Sequence, residues 1–100
     1  MTILGRFTEA DGGYSGPVRT LALRADLVLA PTGAAGATAP SHRVLAGDVE
    51  CGAAWPAEDE SGLLNVRIDD PSWAEPIRAR LVRGRDDELL LVWRRPASSG

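Results

Sequence analysis

Few side chains in this sequence could do covalent chemistry, and none stands with the companions it would need. His42 is the only histidine and Cys51 the only cysteine. A nucleophile needs a base within hydrogen-bond reach and a third group to orient that base. One His and one Cys give no second signal for such a set. A lone cysteine also excludes an internal disulfide and a Cys-based zinc site, so Cys51 reads as a small core hydrophobe. His42 reads as a surface or strand-start residue. Asp69 and Asp70 are adjacent, so on a strand they would point to opposite faces and could not share an acid–base task. An Asp before Pro71 is instead a turn initiator. No His, Cys, Asp and Glu cluster has metal-ligand spacing. The sequence therefore implies no catalytic residue, no metal site and no cofactor.

Binding chemistry has more to work with. Trp55, Trp73 and Trp93 are three of the five aromatic residues, with Phe7 and Tyr14. Trp93 lies in an apolar run and reads as core. Trp55 precedes Pro56 at a strand end and reads as half covered. Trp73 sits in a turn between Pro71 and Pro76, where it either caps the open end of a barrel or stands out as an interface anchor. Arg67, Arg78 and Arg80 alternate with apolar residues on the two runs that flank this turn. If the runs pair, the guanidiniums form a basic strip beside Trp73. Nucleic-acid-binding β-barrels combine a stacking aromatic with arginine in this way. The same strip suits an acidic protein surface, or pairs with Asp69 and Glu75, or is the solvated face of a sheet. The candidate binding residues are thus Arg67, Trp73, Arg78 and Arg80.

The elements that must hold these residues read as strands. Leu64, Val66 and Ile68 share one face of the first flanking run, and Ile77, Ala79 and Leu81 share one face of the second. Ile3 to Thr8 reads as a first strand, ending in a turn at Asp11-Gly12-Gly13. From Arg19 the odd positions Leu21, Leu23, Ala25, Leu27 and Leu29 are apolar, which favours one long strand to about residue 30 over a helix. Residues 31–41 form a small-residue loop, read as mobile. In the run from His42 to Trp55 the apolar face switches around Gly47-Asp48, from Val44 and Ala46 to Val49, Cys51 and Ala53. A bulge or tight hairpin explains the switch. Residues 58–62 and 83–87 are charged turns. Glu88 to Arg94 is a last strand, apolar on both faces, and residues 96–100 are a flexible tail. The whole reads as one all-β domain over 1–95, a small antiparallel barrel or sandwich of six or seven strands.

Composition sets outer limits. The 100 residues are 44% hydrophobic and 25% charged, ordinary for one globular domain. No apolar run is long enough to cross a bilayer, and no secretory signal opens the chain; a cytoplasmic location is expected. All eleven basic residues are arginine, and the net charge is −3, which argues against a whole-surface nucleic-acid binder. Residues 41–62 set one arginine against five acids, whereas residues 63–100 set seven against six. The acidic patch and the arginine-rich end are separate in sequence.

Several short stretches occur in a telling order: Gly5-Arg6-Phe7-Thr8, Gly16-Pro17-Val18-Arg19-Thr20-Leu21, Arg43-Val44-Leu45-Ala46-Gly47, Glu50-Cys51-Gly52-Ala53-Ala54-Trp55, Ile68-Asp69-Asp70-Pro71-Ser72 and Leu91-Val92-Trp93-Arg94-Arg95-Pro96. This set resembles the bacterial family of domain of unknown function 736 over nearly the whole chain. The resemblance implies an accessory protein of plasmids and integrative elements, and supplies no catalytic residues. Where the family pattern has a Tyr and an Asn, this chain has Arg78 and Arg80, and it lacks the lysines usual in relatives. The expected function is a non-catalytic accessory protein of a mobile genetic element acting by protein–protein contact, with inhibition of a host defence system as one form. The alternative is a nucleic-acid-binding barrel, for single-stranded or duplex DNA, using the Arg strip and Trp73. A small enzyme is a remote third. A homodimer through an exposed strand edge is a further option.

Overall fold

The chain folds, in a computed structural model, as a closed barrel of strands, described for residues 2–21, 24–33, 38–57 and 62–93. The strands are β1 (Thr2–Ala10), β2 (Gly13–Arg19), β3 (Arg24–Pro31), β4 (His42–Ala46), β5 (Val49–Pro56), β6 (Gly62–Ile68), β7 (Ile77–Arg83) and β8 (Leu89–Trp93), with a short 3-10 turn at Arg85–Asp87 before the last. Each strand pairs antiparallel with the next, and β8 pairs with β1 to close the barrel. No helix among the described residues is long and apolar enough to cross a membrane.

Local chemistry makes the tight turns. Asp11 and Gly12, both at positive φ (55° and 80°), join β1 to β2, as a two-residue type I′ hairpin loop requires. Gly47, at φ 62°, and Asp48 join β4 to β5; the expected face switch at these residues is a hairpin. Register shifts at Ile3/Gly5, Val44/Leu45 and Gly62/Leu64 mark bulges, which supply the bend a closing sheet needs.

The interior is filled by side chains from every strand: Leu4 and Phe7, Val18, Leu27 and Leu29, Val44, Ala54, Leu64, Val66 and Ile68, Ala79 and Leu81, Leu89 and Leu91. Burying each of the larger ones contributes about 1.5–3 kcal/mol relative to exposure. The alternation over β6 and β7 holds as read: Leu64, Val66, Ile68, Ala79 and Leu81 are buried, and Ile77 packs against the same cluster.

Three expectations are corrected. The barrel has eight strands, not six or seven. Gly13–Arg19 is a strand whose alternate positions 14, 16 and 18 carry a half-buried Tyr, a Gly and only one buried aliphatic side chain. It therefore shows almost no apolar period. The run from Arg19 to residue 30 is not one strand. It breaks between Arg19 and Arg24, which face each other across a hairpin, and Leu21 is fully exposed. From Ala25 onward the odd positions do turn inward. In β5 the inward residues are Gly52, which lies between Val44 and Ile68, and Ala54; Val49 is 64% exposed. Glycine and alanine are too small to advertise a core face, so Val49 and Ala53 mimic one, whereas Cys51, at the bulge, is half-buried and does pack against the core cluster.

The ends of the 31–41 loop are tied together, with the Thr32 N–H and hydroxyl donating to the carbonyls of Ser41 and Pro40, each at 2.9 Å. Residues 34–37 of that loop, 58–61 of the acidic turn and the expected tail at 96–100 lie outside the described residues.

Candidate functional site

The turn between β6 and β7 is built by its own side chains. The Asp70 carbonyl accepts from the Trp73 N–H at 2.9 Å, with Pro71 in the second position of the turn, where its fixed φ suits a type I turn. The Asp70 carboxylate accepts from the Ser72 N–H at 2.9 Å and from the Ser72 hydroxyl. These bonds favour the charged form and hold Asp70 below its ordinary pKa. Asp69 Oδ1 accepts the Asp70 N–H at 2.9 Å. The two acids thus both hydrogen-bond within the turn. Trp73 is half-buried and packs against the core cluster, so it caps the barrel end while one side stays accessible.

Register decides which outward residues meet. Trp55, Asn65, Arg80 and Val92 lie in one row across β5 to β8, because Trp55 pairs with Asn65, Asn65 with Arg80, and Arg80 with Val92. Ala53, Arg67 and Arg78 form the next row. Arg67 and Arg78 are direct cross-strand neighbours, an arrangement of like charges that costs stability unless something intervenes. Arg67 reaches Asp69 at 3.7 Å, both side chains about half exposed, which gives little stabilisation. Arg80 lays its guanidinium over Gly62, where no Cβ displaces it. Arg78 is exposed and makes no ion pair with any described residue.

These rows border a groove of about 760 Å³ lined by Arg67, Arg78, Arg80 and Arg83, by Trp55 and Asn65, and by the aliphatic Val66, Ala79, Val82 and Val92. Among the described residues no carboxylate belongs to its lining. Val82 and Val92 share the outward register of Arg80, and Val92 is only 6% exposed, so these two supply an apolar floor, while Val66 and Ala79 turn their side chains into the core. Arg83 also reaches Asp87, at 3.7 Å. A second, more open groove of about 520 Å³ adjoins it, lined by Trp73, Pro71, Pro76, Cys51, Glu50, Asp69 and Asp70 among others. Trp55 and Arg67 line both.

The structure therefore brings Arg67, Arg78 and Arg80 together, as the strand pattern implies, but the aromatic in their groove is Trp55. Trp73 stands on the far side of Arg67. Trp55 and Arg83 are the residues that sequence reasoning did not assign to this surface. The signal for Trp55 is weak: it becomes visible only once Ala54 is known to point inward.

The other reactive side chains lie away from the arginine groove. His42 opens β4, with Nε2 2.9 Å from the Gly12 carbonyl oxygen and Nδ1 2.8 Å from the Ser41 hydroxyl. A carbonyl only accepts, so Nε2 carries the proton and donates. Its ring lies 5.6 Å from that of Tyr14, tying β4 to the first hairpin. Burial raises the Tyr14 pKa, with the Glu9 charge adding to it. Burial likewise raises the Cys51 pKa, aided by Asp70 and then Glu50, which makes the thiol a poorer nucleophile. No group of three or more His, Cys, Asp and Glu able to hold a metal occurs among the described residues.

Compared with known proteins, the chain matches over residues 3–96 the model of the family described as protein of unknown function (DUF736), and it belongs to that family. No curated protein and no solved structure matches it.

Proposed function

We propose that this member of the DUF736 family is a non-catalytic binding protein, and that it works by docking a partner protein on the outer face of β6 and β7. One observation carries the reading: four arginines line a single apolar-floored groove to which no carboxylate among the described residues contributes. Guanidiniums offer planar forks suited to carboxylates, and aliphatic side chains beneath them add apolar burial to the contact. The setting, an accessory protein of a bacterial mobile genetic element that includes inhibition of a host defence system among its forms, is drawn from the sequence resemblance. The reading without catalysis comes from the sequence, which gives His42, Cys51 and the Asp69–Asp70 pair none of the companions that covalent or acid–base chemistry needs.

Arg78→Glu tests the surface, because Arg78 is exposed and the change leaves the core untouched. Partners recovered with the wild type are identified, purified and rebound to both forms. Loss of binding by at least about tenfold, equal to about 1.4 kcal/mol, is expected. Equal affinity for every reconstituted partner would sink the reading.

A second reading has one observation in its favour. Half-buried Trp55 lies in the same groove as Arg80, and base stacking beside arginine is how single-stranded nucleic acid is held. Titration with an oligothymidylate at low and high salt, following Trp fluorescence, decides it. Quenching that weakens steeply with salt and is lost in Arg78→Glu supports nucleic acid; absence of quenching at low salt removes it.

A further inference from the structure

The arginine groove continues into a region of opposite charge. Trp55 and Arg67 line both grooves, so the two troughs meet over these side chains. Past them the lining changes to Glu50, Asp69 and Asp70, with Trp73 and two prolines as apolar wall. Asp70 is held in place by Ser72, and Asp69 is braced by Arg67. The outer face thus presents one track with an anionic, aromatic end and a cationic end.

We infer that the occupant of this track is an extended segment of a partner protein whose charges are segregated along it, a Lys or Arg seated against Trp73 and the Asp69–Asp70 turn, and Asp or Glu residues along Arg78, Arg80 and Arg83. The inference rests on the binding function proposed above and specifies the partner's chemistry. A cation over an indole face between carboxylates gains from both. A nucleic-acid strand is anionic throughout, so it matches one end and is repelled by the other. Bringing like charges together at an interface works against association, which is how such a track would choose among partners.

The test uses labelled peptides of about twelve residues, which span about 40 Å when extended, against a longest molecular dimension of 39 Å. One carries a lysine block, a Gly-Ser spacer and a glutamate block. The second has the same composition with the charges alternating, the third has glutamates only, and an oligothymidylate serves as the nucleic-acid probe. Fluorescence anisotropy is read with the intact protein at low and moderate salt. The block peptide is expected to bind at least about tenfold tighter than the alternating one. The paired change Asp69→Asn and Asp70→Asn brings the block peptide down to the alternating peptide's affinity without weakening the all-acidic one, and Arg78→Glu weakens both. Equal binding of block and alternating peptides by the wild type overturns the inference; if Arg78→Glu still weakens both, the arginine surface stands and only the partner's charge pattern is wrong. No effect of Arg78→Glu on any peptide removes both. An oligothymidylate that binds tightest and is released by Arg78→Glu overturns the inference in favour of nucleic acid. The first comparison needs only wild-type protein, so it does not depend on how the variants fold.

Discussion

Gly52→Ala offers a sharp test of how closely β5 and β6 approach beneath the candidate site. Gly52 faces inward between Val44 and Ile68, and a Cβ there would lie 1.9 Å from the Arg67 carbonyl oxygen and 3.1 Å from the Ile68 Cα. A carbon–oxygen contact settles at about 3.3–3.6 Å, so β6 must retreat from β5 by about 1.5 Å. Backbone hydrogen bonds do not survive such a stretch. The Asp69 N–H bond to the Cys51 carbonyl, at 2.6 Å, and a neighbouring bond of the β5–β6 ladder are lost, at about 1 kcal/mol each. Adding about 1–3 kcal/mol for overpacking gives about 3–5 kcal/mol, a large share of the 5–15 kcal/mol or so that holds a domain of this size. Thermal melting by circular dichroism should fall by more than about 12 °C, taking about 4–8 °C per kcal/mol. Gly47→Ala is the control: its Cβ meets nothing within 4 Å, though φ is +62°, so it costs only about 1–2 kcal/mol of backbone strain. Gly52→Ala melting within a few degrees of wild type, or alongside Gly47→Ala, would refute the close approach of β5 and β6.

Two further outcomes follow from charge. Cys51 is held protonated by burial and by the Asp70 and Glu50 carboxylates, so its alkylation should be slower in the native protein than in urea, with the rate-against-pH midpoint displaced upward. The paired change Glu50→Gln and Asp70→Asn should speed it, and equal native and unfolded rates would contradict the burial argument. The Asp70 pKa is depressed in the fold by the Ser72 hydroxyl and N–H. The carboxylate's contribution to the turn is therefore present above the ordinary aspartate pKa and lost only as pH falls through the lower, folded value. A carboxyl NMR titration should place Asp70 below unstructured aspartate, and Ser72→Ala should return it toward that range; an unmoved titration in Ser72→Ala would show that the hydroxyl is not the cause.

What the sequence makes legible follows from side-chain size. Leu64, Val66 and Ile68 against Ala79 and Leu81 announce their faces because each of these inward positions carries an aliphatic group and the positions between them, Asn65, Arg67 and Arg80, are polar. The outward arginines can be read from the same alternation. The strand at Gly13–Arg19 cannot, because a Gly and a Tyr occupy inward positions where a period-two pattern needs aliphatics. The hairpin between Arg19 and Arg24 is hidden for the opposite reason: Leu21 continues the apolar alternation into the turn, although it is fully exposed. The partner of the arginine strip also lies beyond a linear reading. Trp55 joins Arg80 only because both flank Asn65 in the sheet, a relation fixed by register across three strands.

That dependence on register ties the candidate site to the core. A closed barrel offers no edge for an added strand, and its interior is occupied by packed side chains. The docking proposed above therefore uses outward side chains and loops. On β7 the same alternation that buries Ala79 and Leu81 exposes Arg78 and half-exposes Arg80. A one-residue slip of β7 would send both guanidiniums inside and Leu81 into water, reversing every assignment on the strand. Burying two guanidiniums in an apolar interior is far costlier than any outer-face contact can offset. The apolar interior therefore does more than stabilise the fold: by forbidding the slipped register, it fixes the row of Trp55, Asn65, Arg80 and Val92 and the adjoining Arg67–Arg78 pair. Substitutions that weaken the β6–β7 core without unfolding the chain should for this reason loosen ligand binding at residues they never touch.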